Sequence, residues 1–261
     1  MTSSFERHGI DHLSASSINL FVAEPAMWAM QKLMGRKSGV GAAAHRGTSI
    51  EAGVEMGLFE PDAPVEACQE LAQARFNQLT VLSGDPNRDK EAAAIAPSVA
   101  IALKELRQYG VPSAADSNRQ HRIETRIDGV SVPFIGWLDF WFQDHAIIVD
   151  LKTQLRLASK ISEPHARQGA IYHAAPGNAE IRFAYVTPQK IGVYRLDGTD
   201  KLSRPSRAGP SPTLGSGGDG RGFPRLARPG AQDPETWSGG QVGLQIERIV
   251  DGGVAGKEPL G

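Results

Sequence analysis

Asp139, Asp150 and Lys152 are charged residues set into the most apolar part of the chain. Asp139 closes the run Gly136-Trp-Leu-Asp139, and Asp150 and Lys152 follow Ile147-Ile-Val149. A carboxylate carried into a protein interior is strongly disfavoured unless a cation or hydrogen bonds compensate it. Two of them on neighbouring strands make a natural site for a hard divalent cation. Such an ion accepts a few carboxylates and keeps its other positions for water and phosphate. Lys152 lies two residues beyond Asp150, so on a strand both side chains face the same way. Its ammonium can hold or help deprotonate an attacking water, or offset charge growing on a phosphate. Taken singly these signals are weak. An Asp at a strand end is often a turn cap, and a D-x-K tripeptide arises by chance about once in a chain of this size. Here, however, the acid and lysine follow an apolar strand, and a second acid ends the strand before it.

The elements that must position them are legible from periodicity. Residues 14–34 are helical, opened by Ser14, Ser16 and Ser17, interrupted at Glu24-Pro25 and ended by Gly35. Residues 43–57 form an Ala-rich helix. Residues 64–82 and 88–109 are amphipathic helices, with Pro97 placed to kink or split the second. Pro112 to Asn118 reads as a loop. His121 to Ile127 and Val130 to Phe142, joined by Asp128-Gly129, read as a β-hairpin. Ala146 to Val149 is a short apolar strand of the kind buried on both faces. A helix over 162–175 and strands over Ile181 to Val186 and Ile191 to Leu196 complete a mixed α/β layer with a helix crossing between strands.

These motifs carry a family resemblance over roughly residues 12–197. Gly136-Trp-Leu-Asp139 resembles a G-x-x-D motif, Asp150-Leu-Lys152-Thr153 a D-x-K-T motif, and Gln168-Gly-Ala-Ile-Tyr172 a Q-x-x-x-Y motif. In this order and at these spacings they resemble the PD-(D/E)XK nuclease superfamily, in its RecB-like branch with the lambda-type phage exonucleases. The resemblance implies a restriction-endonuclease-like core, a central mixed β-sheet flanked by helices behind an N-terminal helical region. It also implies a catalytic set of Asp139, Asp150, Lys152 and Gln168. Mg²⁺ or Mn²⁺ would be held by Asp139, Asp150, the carbonyl of Leu151 and a ligand from an N-terminal helix. By register in Arg46-Gly-Thr-Ser-Ile-Glu51 that ligand is Glu51, where the family more often has His. A glutamate is the harder ligand and favours Mg²⁺ or Mn²⁺. His45 is a rival but falls off that helix face, and Glu55 is one turn on. Gln168 and Tyr172, at i and i+4, share a helix face. The resemblance puts Gln168 beside the scissile phosphate or the lysine, and Tyr172 near DNA or packed behind the site. Arg46, Lys160 and Arg167 are candidate phosphate contacts. Glu124 reads as a surface strand charge rather than a site acid. Trp137 and Trp141, at even spacing on one strand, read as core or partner packing rather than a base-stacking platform.

The implied activity is metal-dependent hydrolysis of DNA phosphodiester bonds, as an exonuclease of phage or prophage recombination or repair. The implied partners are DNA and a single-strand annealing recombinase. A catalytically decayed DNA-binding module and an accessory subunit of a helicase–nuclease complex are the rival readings. Bulk composition is compatible: 261 residues, 40% hydrophobic, 22% charged and a net charge of −1. With no basic excess, DNA must be held by a local patch and by metal ions. A single cysteine, Cys68, excludes a cysteine-ligated iron–sulfur cluster and an internal disulfide, and fits a cytoplasmic setting. His121, His145, His165 and His173 form no zinc pattern, and no apolar run is long enough for a membrane span. Residues 1–200 read as the nuclease domain. Residues 201–261 hold about half of the chain's 29 glycines. They read as a disordered Gly/Pro-rich tail, either natural or the product of a reading-frame shift.

Overall fold

The computed structural model describes residues 4–36, 39–115, 119–126, 130–172 and 179–196. The expected tail, His173 and the Asp128-Gly129 turn lie outside the described residues. A short helix α1 (Ser4–Arg7) precedes α2 (Ala15–Ala23) and α3 (Pro25–Lys32). Ser14 caps α2, its hydroxyl accepting from Ser17 N–H at 3.3 Å. Pro25 is tolerated because it opens α3, where its missing N–H is not needed. Next come α4 (Ala42–Phe59), α5 (Val65–Thr80), α6 (Arg88–Ala93) and α7 (Ile95–Leu106). The split in the expected 88–109 helix falls at Ala94, not at Pro97. Pro97 stands in the first turn of α7, where a proline costs no hydrogen bond. The first N–H of α4 is satisfied from a distance, by the Asp85 carboxylate at 2.9 Å from Ala42 N.

Strands β1 (His121–Thr125) and β2 (Phe134–Leu138) form an antiparallel two-stranded ribbon. Strands β3 (Phe140–Phe142), β4 (Ile147–Thr153), β5 (Glu180–Val186) and β6 (Ile191–Arg195) form a four-stranded sheet in that spatial order. The pairing is antiparallel for β3–β4 and β5–β6 and parallel for β4–β5, whose connection carries α8 (Glu163–Tyr172). The stretch read as one long hairpin strand is thus two strands in two sheets, and the chain changes sheet at Asp139.

Two apolar layers enclose the sheet. Ile147, Val149 and Leu151 of β4 join Phe140, Ala184 and Val186 under α4, α5 and α7. Ile148 faces the other way, with Ile181, Phe183 and Tyr185, against α2, α3, α8 and the ribbon. Strand alternation therefore sends Asp150 and Lys152 to the α8 side, in line with Ile148. Among the described residues no helix is long and apolar enough to cross a membrane.

Candidate active site

Asp150 is fully buried at the centre of β4. The β3–β4 register pairs Phe140 with Val149, so one further step sets Asp139 opposite Asp150. At that step Asp139 leaves the ladder, and its carboxylate accepts from Leu151 N–H at 2.9 Å. Glu51 arrives from α4 and accepts from Gln120 Nε2 at 2.7 Å. The three carboxyls destabilise one another's charged forms. Burial first, then the charges of Asp150 and Glu51, hold Asp139 well above the usual carboxylate range. Burial and the charges of Asp150 and Glu55 raise Glu51. Burial also raises Asp150, with Lys152 pulling the other way.

Lys152 Nζ lies 2.6 Å from Asp150 Oδ1. Burial alone would lower this lysine, but Asp150, with Asp139 and Glu51 beyond it, carries it above its ordinary value. Apart from this ion pair, no donor among the described residues reaches the buried Asp150 Oδ1. The other oxygen, Oδ2, accepts from Gln168 Nε2 at 2.7 Å. Gln168 Nε2 also contacts the Tyr172 hydroxyl, which in turn donates to the Trp137 carbonyl at 2.8 Å. Helix α8 thereby ties β4 to the end of β2, two residues before Asp139. Gly136 makes this possible: a Cβ there would meet Tyr172 Cε1 and Ile123 Cγ1, each at 3.1 Å. On the far side of Lys152, His165 Nδ1 is 2.6 Å from the Tyr185 hydroxyl. Burial, then the charge of Lys152, lowers His165 to about 4, so the imidazole is neutral at pH 7.

Several expected contacts take other places. Arg46, read as a phosphate contact, is buried. Its guanidinium pairs with buried Glu91 and donates to the Thr153 carbonyl at 3.1 Å. The pair ties α4 and α6 to the end of β4. Gly47 lets α4 approach that end, where a Cβ would stand 3.3 Å from Thr153 Oγ1. Tyr172, read as a DNA contact, is 3% exposed and packs behind the acids. Arg167 donates from Nε to Asn19 Oδ1 at 2.8 Å and faces Glu163 at 3.6 Å, joining α8 to α2. Lys160 is exposed on the connection after β4. Glu124 is an exposed strand charge paired with Arg122 at 2.7 Å. Glu55 meets Arg119 at 3.5 Å.

Sequence reasoning missed Gln120 and Arg119. Arg119 also pairs with Glu60 at 3.0 Å and lies over the Phe59 ring at 5.2 Å. Together they stitch the entry of β1 onto the acid-bearing face of α4. They fall just after a loop, where no periodicity marks a side chain as important.

Among the described residues no group of three His, Cys, Asp or Glu side chains is set close enough together to hold a metal ion as it stands. Each of the three carboxyls is instead turned onto a protein donor. Their chemistry nonetheless fits a hard divalent cation. They are oxygen donors that raise one another, and one buried oxygen, Asp150 Oδ1, has no donor among the described residues apart from the Lys152 ion pair. No curated protein and no solved structure matches the chain. A family model does, over residues 12–251, taking in the sheet, α4, α8 and the acids they carry. The chain belongs to the PD-(D/E)XK nuclease superfamily.

Proposed function

We propose that this chain is a Mg²⁺- or Mn²⁺-dependent exonuclease acting on DNA, of the RecB-like, lambda-type branch. The superfamily generally uses divalent metal ions and acts on DNA. The observation that carries the reading is buried Asp150 with Lys152 Nζ 2.6 Å from its Oδ1, at a centre where the charges of Asp150 and Glu51 both act on Asp139. Glu51, Asp139, Asp150 and the Leu151 carbonyl would hold the cation. When bound, it supplies Lewis-acid polarisation of the phosphodiester and neutralises charge on the phosphate. Lys152 orients the attacking water and offsets negative charge as the bond to the leaving oxygen breaks. Gln168 fixes the Asp150 carboxylate through Oδ2, and Oδ1, against which Lys152 rests, is the oxygen that would turn to the ion.

The ordered G-x-x-D, D-x-K-T and Q-x-x-x-Y motifs support the branch and, with it, a place in phage or prophage recombination or repair beside a single-strand annealing recombinase. Linear and covalently closed circular DNA, incubated with the full chain in Mg²⁺ or in EDTA, test the proposal. Loss of linear DNA alone, and only in Mg²⁺, is expected. Equal cutting of the circle would replace exonuclease with endonuclease. No metal-dependent digestion would leave a DNA-binding module or an accessory subunit.

A further inference from the structure

Trp137 is the only exposed aromatic side chain among the described residues, at 44%. Water-facing indole is unusual in a chain that buries Trp28 completely and packs Trp141 edge-on against His121 at 4.9 Å. The two even-spaced tryptophans part company because the chain changes sheet between them, at Asp139. On the ribbon, Gly136 turns inward to Tyr172, so Trp137 turns outward. Arg122 is its direct partner across the strands and shares that outer face. Among the described residues Arg122 pairs with Glu124, an exposed pair of the kind that contributes little. The backbone under the indole is not free to drift. The Trp137 carbonyl accepts from Tyr172, which reaches Asp150 through Gln168. Along the chain Trp137 is two residues from Asp139, about 7 Å on an extended strand.

We infer that Trp137, with Arg122 beside it, forms a binding site for an unpaired nucleobase of the DNA strand whose phosphate is presented to the acids. The inference rests on the proposed nuclease reading and adds a subsite to it. A flat π-surface next to a guanidinium suits a base and its flanking phosphate, whatever the base. Carried on a backbone that is hydrogen-bonded to the acid centre, the indole holds the strand at a set offset from the reacting phosphate. It also favours a frayed or single-stranded end over a fully paired one, because a paired base keeps its faces stacked on its neighbours.

The test uses the full chain and a fluorescein-labelled oligonucleotide in EDTA, read by anisotropy, with the same sequence single-stranded and as a blunt duplex. Trp137→Leu keeps apolar bulk without the π-face, and Trp137→Phe keeps a ring. About a tenfold or greater loss of single-strand affinity is expected for Trp137→Leu, with a smaller loss for Trp137→Phe and for duplex. Scanning one abasic position along the strand should find a site whose effect on the wild type is missing in Trp137→Leu. Unchanged affinity in Trp137→Leu, or no such abasic position, overturns the inference while Mg²⁺-dependent cleavage, if present, leaves the nuclease reading standing. A Trp137→Leu chain that binds DNA normally but changes its sedimentation shows that the indole covers a second copy, and equally overturns it. A wild type that binds neither oligonucleotide overturns the inference, and Mg²⁺-dependent digestion then decides the nuclease reading by itself.

Discussion

Replacing Asp139 by Asn should make the metal-free protein more stable and the enzyme inert. The amide keeps the shape of the carboxyl, and its oxygen can still accept from Leu151 N–H, now 2.9 Å from Asp139. What disappears is a charge that burial, Asp150 and Glu51 all oppose. Each unit by which a folded carboxyl stands above its unfolded value costs about 1.4 kcal/mol once it is ionised. Asp139 stands well above, so removing its charge relieves the folded chain of that cost. For a domain of this size each kcal/mol of relief raises Tm by roughly 2–4 °C. Thermal denaturation at pH 7.5 in EDTA measures it. In saturating Mg²⁺ the order should reverse. A cation at about one hundred times its Kd adds about 2.7 kcal/mol to a protein that binds it, and Asp139→Asn has lost a ligand and the gain with it. The same carboxyls set a pH trend in the wild type. Their raised folded values mean that, above the unfolded range near 4, the folded chain holds more protons than the unfolded one. Metal-free stability therefore falls as pH rises from there through the raised values, and Mg²⁺ restores more at pH 7.5 than at pH 5. A lower Tm for Asp139→Asn in EDTA, or a Mg²⁺ shift equal to the wild type's, would refute the reasoning.

Lys152→Met should lower cleavage by at least about 100-fold yet keep the Mg²⁺-induced rise in Tm; loss of that rise would make Lys152 essential to metal binding. Glu51→Gln should weaken Mg²⁺ binding by calorimetry, while His45→Ala leaves it unchanged; the opposite pattern would put the helix-borne ligand at His45. Gln120→Leu keeps the Glu51 carboxylate but removes its donor, so its Mg²⁺ affinity should fall between wild type and Glu51→Gln, and wild-type affinity would show that Glu51 needs no such support. Gly136→Ala drives a methyl into the Tyr172 ring and Ile123; overpacking of about 1–3 kcal/mol should appear as a lower denaturation midpoint, and an unchanged midpoint would mean the ring moves freely.

Local pattern carried much of this architecture into the sequence. The two-residue spacing of Asp150 and Lys152 put both on one face of their strand, and the structure keeps that parity. The change of sheet at Asp139 was hidden because β-branched and aromatic residues run on both sides of it, and no glycine or proline stands at the break itself. Pro97 misled for a related reason: proline reads as a breaker, but its first-turn position depends on where α7 begins, and Ala94 carries no stop signal. Arg46 looked like a free cation near a motif. Its partner, Glu91, is 45 residues away, a distance no periodicity spans. The same holds for Gln120 and Glu51, 69 residues apart. The boundary expected near residue 200 falls outside the described residues, and the family match runs past it to residue 251.

The change of sheet also divides labour along one stretch of chain. Asp139 takes its position from residues on its C-terminal side, through the three β3–β4 pairs and the bond to Leu151. The ribbon that precedes it belongs to a different hydrogen-bonded sheet. Its far end can therefore be lengthened, shortened or recoloured without re-registering the acid, provided that Gly136 still fits under Tyr172. Such a joint lets the surface that meets a substrate diverge rapidly while the reacting centre stays fixed.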